Sequence, residues 1–276
     1  MGPLLTIRES AALAEARRLG AAALACSLDL GRTTEQVALR PADWVRGTDV
    51  FPYPEKLRPR TIYCWDGSAF APVARFTQSL VKLVPTEWGP PVFEIDGIKM
   101  LVSELHSPLE DAARKAALIE PRGKHVLDCC GGLGYLAAAC LEIGAARVIS
   151  FEKSPDVLWL RGLNPWSPPA DPRLVLTAGD CVAAIAALPA GCVDAILHDP
   201  PRFGIAGELY AQAFYADLAR VLRPGGRLFH YTGAPNSRSR GRDLAAEVVG
   251  RLERAGFQAR PEGDGVLARS RTMRAS

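Results

Sequence analysis

No two of the seven cysteines (Cys26, Cys64, Cys129, Cys130, Cys140, Cys181 and Cys192) stand in a CxxC spacing, which excludes a zinc site built from paired thiolates. Their odd number and their scatter over expected strands and helix starts suit reduced core thiols in a cytoplasmic protein. Long apolar runs are also missing. Ala21 to Leu28 is too short to span a bilayer, and charges at Arg8, Glu9, Glu15, Arg17 and Arg18 break a signal-peptide layout, so no membrane association is expected. The opening Met-Gly-Pro-Leu-Leu-Thr6 shares the letters of a lipidation motif, but Pro3 makes this a coincidence of letters. Internal repeats and low-complexity tracts are absent. There is little net charge, +3, which neither calls for nucleic acid nor excludes it. Lysine is missing from Arg220 onward, where 12 arginines, including Arg238-Ser-Arg-Gly-Arg242, face five acids. A solvated helix face explains this more simply than a polyanion site, so nucleic acid is a disfavoured partner. What is present is ample core material, with 48% apolar residues in 276, enough for one large domain or a small and a medium one.

Along the chain, Glu9 to Leu19 reads as a short helix, followed by alternation over Ala23 to Leu30 and Glu35 to Arg40 that suggests a hairpin. Prolines 41, 52, 54 and 59 mark an irregular stretch. Arg60 to Trp65 and Ala69 to Phe76 read as strands across Asp66-Gly67-Ser68, and Pro91 to Ile95 and Ile98 to Val102 across Asp96-Gly97, a pair suited to a type I′ turn. Trp44, Phe51, Tyr53, Tyr63, Trp65 and Trp88 are divided between core and a substrate pocket. Ser107-Pro-Leu-Glu110 offers an N-cap, a proline at the first helical position and a capping-box acid for a helix to about Glu120. From there strands and helices alternate, which predicts a doubly wound, Rossmann-like α/β sheet. The expected division is 1–105, a β-rich module that covers substrate or pairs two copies into a homodimer, and 106–276, a nucleoside-binding catalytic domain.

The stretch Val126-Leu-Asp-Cys-Cys-Gly-Gly-Leu-Gly-Tyr135 organises that second part. An apolar strand ends in an acid, three close glycines allow a sharp bend and a close ligand, and the helix beyond points free N–H groups at it. Ligands of such sheets sit at the carboxyl ends of the strands. Those ends present Asp128, then Glu152-Lys153 about 20 residues past the glycines, then Asp180-Cys181, then His198-Asp199-Pro200-Pro201-Arg202-Phe203. Four successive strand ends bearing acids repel a diphosphate and suit a cationic nucleoside.

The segment from Lys124 to about Arg269 resembles the class I S-adenosylmethionine-dependent methyltransferases. Their motif D-x-G-x-G-x-G is matched by Asp128, Gly132 and Gly134, with Cys130 where the first glycine usually stands, and Leu222-Arg-Pro-Gly-Gly-Arg-Leu228 resembles their later Pro-Gly-Gly turn. The resemblance implies S-adenosyl-L-methionine as cofactor. Asp128, Cys130, Gly131, Gly132 and Gly134 would cradle it, Glu152 would hold the ribose and Asp180 the adenine, with the adjacent Lys153 and Cys181 also in the cofactor site, and Asp199 would stand beside the transferable group. A second resemblance, over nearly the whole chain, is to the spermidine-synthase-like aminopropyltransferases, with Ile95-Asp96-Gly97 at their hairpin and Glu208 to Tyr215 before the glycine turn. Their glutamine after the hairpin falls at Met100, their Tyr-His-Glu has no counterpart near Pro108 to Glu110, and their second aspartate is replaced in Pro-Arg-Phe, so most polyamine-gripping residues are absent. The chain is most similar to uncharacterised, mainly archaeal predicted methyltransferases that share His-Asp-Pro-Pro-Arg-Phe and Asn164-Pro-Trp166.

The function expected is therefore methylation of a small molecule at an amine or other heteroatom, without metal. Asp199, with His198, is the candidate base, and Pro200, Pro201, Arg202, Tyr135, His106, Tyr210 and Tyr231 are candidate substrate contacts. Aminopropyl transfer from the decarboxylated donor, RNA methylation and a non-enzymatic scaffold are the alternatives.

Overall fold

The computed structural model describes residues 2–233 and 243–271. The basic Arg238-Ser-Arg-Gly-Arg242 stretch lies outside them. The chain forms two compact units, one of Met1–Pro108 with Trp159–Ser167 and one of Leu109–Leu158 with Pro168–Ser276.

In the first unit, β1 (Leu4–Leu5) leads into α1 (Ile7–Arg18), which begins two residues before the expected start. The reason is a capping box: Thr6 Oγ1 accepts from the Arg8 N–H, and the Thr6 N–H donates to Glu9 Oε2 at 2.8 Å. Next come β2 (Ala23–Cys26), β3 (Glu35–Leu39), β4 (Asp43–Arg46) and β5 (Asp49–Pro52), paired in chain order as an antiparallel sheet. The proline-marked stretch is thus partly regular. Pro52 is tolerated because it ends an edge strand, where its missing N–H breaks no central ladder. The expected Ala69–Phe76 strand divides at Val73 into β7 (Phe70–Pro72), which joins β1 and β6 (Tyr63–Trp65), and β8 (Ala74–Phe76), which joins β9 (Leu80–Val84), β10 (Val92–Ile95) and β11 (Ile98–Lys99). The β10–β11 hairpin turns at Asp96 (φ 48°) and Gly97 (φ 79°), the two positive φ values of a type I′ turn.

Most of the aromatics hold this unit together. Trp44, Phe51 and Tyr63 are buried, Trp44 stacks on Phe51 at 4.6 Å, and Trp65 meets Phe51 edge-on. Trp88 is exposed and lines a cavity of about 500 Å³ with Thr6, Arg8 and Arg60.

The second unit contains nearly all of α2 (Pro108–Leu118), then β12 (His125–Asp128), α3 (Tyr135–Ile143), β13 (Arg147–Glu152), the first turn of α4 (Pro155–Leu163), whose remainder from Trp159 belongs to the first unit, β14 (Leu174–Ala178), α5 (Cys181–Ile185) and β15 (Val193–His198). A 3-10 turn (Gly207–Tyr210), α6 (Gln212–Val221), β16 (Leu222–Tyr231), α7 (Leu244–Arg254), β17 (Phe257–Glu262) and β18 (Gly265–Ser270) complete it. Seven strands form one mixed sheet in the order β14-β13-β12-β15-β16-β18-β17, in which β18 is antiparallel to both neighbours and the β14-to-β16 pairs are parallel. This is the Rossmann-like sheet the sequence predicts. Leu127, Ile196, Phe214, Tyr215, Leu218, Leu252 and Phe257 are fully or nearly fully buried in its core. Strand order reverses between β12 and β15, and the carboxyl ends of the strands at such a switch point are where ligands of open α/β sheets bind. Among the described residues no helix is long and apolar enough to cross a membrane, and no cluster of three or more His, Cys, Asp or Glu is placed to hold a metal.

Candidate active site

The glycine turn is fixed from below. The Gly131 N–H donates to the Phe151 carbonyl at 2.7 Å, the Gly134 N–H to the Gly131 carbonyl, and Gly132 (φ 49°) and Gly134 (φ 88°) take left-handed backbone that L side chains rarely adopt. Asp128, wholly buried at the end of β12, accepts from Ser150 Oγ at 2.8 Å. Glu152, at the end of β13, is tied to the same turn, with Oε2 accepting from the Gly132 N–H at 2.9 Å and Oε1 from the Ser154 N–H at 2.8 Å.

Beyond β14, Asp180 caps α5 by accepting from the Val182 N–H at 2.8 Å, while its other oxygen pairs with Lys153 at 2.9 Å. Burial acts on this carboxyl upward, but Lys153 and the backbone donor outweigh it and leave its pKa below the usual aspartate value. Lys153 also reaches Glu208 at 3.3 Å, and its side chain is 64% exposed. Cys181 is buried. Cys130 stands among these acids, its thiol pushed well up by burial and by Asp128, Cys181, Glu152 and Asp199, so it is a neutral thiol flanked by negative charge.

Asp199 follows the last residue of β15. Its Oδ2 lies 2.8 Å from the ammonium of Lys115, a residue of α2 that no sequence motif singled out. Lys115 is buried, with 3% of its side chain exposed, and also reaches Asp111 Oδ2 at 2.8 Å and lies 3.8 Å from the Tyr231 ring centroid. Asp111 in turn pairs with Arg114, which joins it to Asp264. Burial pulls the lysine pKa down, but two carboxylates more than reverse this and keep it protonated well above its ordinary range. Among the described residues Asp199 shares one cation, Lys115, with Asp111. Burial pushes it up, Lys115 pulls it back, and the nearby Asp111 and Asp264 leave it above the ordinary aspartate value. A signal for Lys115 exists in the sequence: Asp111, Ala112, Lys115 and Ala116 lie on the buried stripe of α2, and a charged pair on an apolar stripe is out of place unless it has partners there.

The remaining candidates separate. Pro200 is buried, Pro201 half-buried and Arg202 exposed, and the Tyr210 hydroxyl donates to the Pro201 carbonyl at 3.0 Å, so the buried Tyr210 braces this turn. Tyr135 is buried at the start of α3, and His106 is exposed in the first unit. His198 requires correction. It is fully buried, its Nε2 lies 3.0 Å from the Leu209 carbonyl, and it packs against Phe214 and His230. Successive strand residues point to opposite faces, so His198 faces the core behind the sheet and is not a partner of Asp199. Burial lowers its pKa to about 4, which keeps it neutral. Asn164-Pro-Trp166 is a clasp within the first unit, where Trp166 Nε1 donates to the Leu30 carbonyl at 3.1 Å.

With this geometry established, the chain can be set beside known proteins. No protein-family model matches it. It is 42% identical over 194 residues to an uncharacterized protein of Methanocaldococcus jannaschii, covering 70% of this chain and 66% of that one. It is 34% identical to polyamine aminopropyltransferase 2 of Streptomyces coelicolor over 45% of this chain and 25% of the relative. It is 33% identical to putrescine N-methyltransferase 3 of Nicotiana tabacum over 38% and 29%. The chain therefore spans just under two thirds of the first relative and less than a third of the other two. Among solved structures, spermidine synthase from Thermotoga maritima superposes with a TM-score of 0.56 at 17% identity over 73% of each chain. The fold is thus of the spermidine-synthase type, a Rossmann-like sheet with an N-terminal β-rich unit, and the named relatives are enzymes that transfer aminopropyl or methyl groups.

Proposed function

We propose that the chain is an S-adenosyl-L-methionine-dependent methyltransferase that acts on a heteroatom of a small molecule. The observation that carries this reading is the row of strand-end carboxylates around the glycine turn, of which Asp128, Glu152 and Asp199 all act on Cys130. Asp111, Asp180, Asp199 and Glu208 pair with Lys115, Arg114 and Lys153, and with Asp128 and Glu152 beside the glycine turn the carboxylates outnumber these cations, a balance suited to a cationic ligand. The N-methyltransferase and aminopropyltransferase relatives support the same donor chemistry.

The residues present fit the cofactor. Glu152, its oxygens oriented at the end of β13 by the Gly132 and Ser154 N–H groups, is a carboxylate acceptor of the kind that would take ribose hydroxyls. Asp180 would take the adenine amine in exchange for Lys153, an exposed ion pair worth about 1 kcal/mol or less. When bound, S-adenosylmethionine supplies a methyl carbon made electrophilic by its sulfonium. The chain's own work is to position the acceptor and exclude water, for which Pro200-Pro201, braced by Tyr210, gives a rigid wall. Asp199, whose proton affinity is raised by burial, would take a proton released by the acceptor.

Calorimetry with S-adenosylhomocysteine tests the reading: the wild-type chain and Asp199→Asn are expected to bind it comparably. Asp199→Asn is expected to lose about 100-fold or more in methyl transfer, the usual scale of a general base. No binding by the wild-type chain at millimolar concentration would sink the assignment. The second reading, aminopropyl transfer, rests on the similarity to an aminopropyltransferase, and tighter binding of decarboxylated than of intact S-adenosylmethionine would put it first.

A further inference from the structure

A buried cation held by two carboxylates and the face of an aromatic ring is the arrangement that recognises a primary alkylammonium ion. In this chain Asp111 and Asp199 each stand 2.8 Å from one nitrogen, and the Tyr231 centroid stands 3.8 Å from it, but the nitrogen belongs to the protein. Arg114 holds Asp111 from its other side and is itself held by Asp264, so the cage keeps its shape without help from an incoming molecule. Lys115 is nearly inaccessible to solvent, and its three N–H donors have three partners, Asp111, Asp199 and the Tyr231 ring.

We infer that Asp111, Asp199 and Tyr231 form an alkylammonium receptor that the chain fills with its own Lys115, making Lys115 the residue that bars charged alkylamines from this subsite. This rests on the proposed function and narrows its substrate class: the acceptor is a neutral nucleophile rather than a polyammonium chain anchored at Asp199. An ammonium entering beside Lys115 would place two like charges on one carboxylate pair, and Lys115 cannot retreat without leaving two buried acids facing each other.

The test removes the tether and supplies the cation separately. Lys115→Ala deletes a propylammonium group, so n-propylammonium is the probe, and 1-propanol controls for its chain. Saturating propylammonium is expected to raise the Tm of Lys115→Ala by roughly 5–10 °C, with 1-propanol inactive and wild type unresponsive. Calorimetry is expected to show about tenfold or greater preference of the variant over wild type for propylammonium and for a 1,4-diammonium butane, the scale of one buried charge pairing. If Lys115→Ala does not accumulate folded, the double change Asp111→Asn with Lys115→Ala, which removes one facing charge, gives a weaker response to the same probe. Equal responses of wild type and variant, an equal response to 1-propanol, or no response in either variant overturns the inference. These readouts measure amine binding without the nucleoside donor, so their failure is distinct from a failure to bind S-adenosylhomocysteine.

Discussion

Two lysines in the second unit each hold an aspartate at a strand end, at nearly the same distance, and they differ in what surrounds them. Lys153 meets Asp180 at 2.9 Å with 64% of its side chain exposed, whereas Lys115 meets Asp199 at 2.8 Å with 3% exposed. Water screens the first pair and competes for both of its members, so it can be exchanged for a ligand at small cost. The second pair has lost its hydration and regains stability only through the full set of Asp111, Asp199 and the Tyr231 ring. One crevice therefore has a yielding acid at its Asp180 end and a committed one at its Asp199 end.

Removing the buried cation tests this contrast at its strongest. Lys115→Met keeps most of the volume but leaves Asp111 and Asp199 without their shared partner, and the expected loss in chemical denaturation is about 3–5 kcal/mol. A loss below about 1 kcal/mol would place Lys115 with the surface pairs.

The core behind the sheet offers the next largest effect. His198 is neutral in the folded chain, its pKa lowered by burial from 6.5 to about 4, and the adjacent buried His230 is lowered in the same direction by burial and by His198. The unfolded chain thus binds more protons between pH 6.5 and about 4, and stability falls as the pH is lowered through that window. His198 alone accounts for about 3 kcal/mol of this loss. Stability curves of His198→Gln against wild type should diverge across this range and run parallel above pH 7. An unchanged acid slope would mean that the histidine is hydrated in solution.

The same contrast explains what could be read from the sequence. Asp128, Glu152, Asp180 and Asp199 were legible because a glycine turn and successive apolar runs mark strand ends, and strand ends are set by local pattern. The Asp96-Gly97 hairpin was legible because only a few residue pairs take two positive φ values. Lys115 carried only the signal of a charge on the buried stripe of α2; its partner, a strand end 84 positions along the chain, is fixed by no local spacing. His198 was misassigned for the converse reason: adjacency to Asp199 in sequence hid the alternation that turns the two side chains to opposite faces. β4 and β5 were obscured by prolines whose tolerance depends on edge position, and β9, a short strand without a turn signature, was missed altogether.

The yielding end of the crevice gives the smallest and most specific effect. Lys153→Met is expected to change stability by about 1 kcal/mol or less, since both pairs it breaks, with Asp180 and Glu208, are made by a solvent-exposed lysine. Its effect on binding has a definite sign. A nucleoside whose exocyclic amine donates to Asp180 must first displace Lys153, so removing the lysine spares that step and tightens S-adenosylhomocysteine binding by up to about fivefold, the equivalent of roughly 1 kcal/mol. The gain should shrink as salt is added, because salt already weakens the competing pair in the wild-type chain. Weaker binding by the variant would mean instead that Lys153 contacts the nucleoside itself, and the two ends of the crevice would then differ in burial but not in their commitment to a cation.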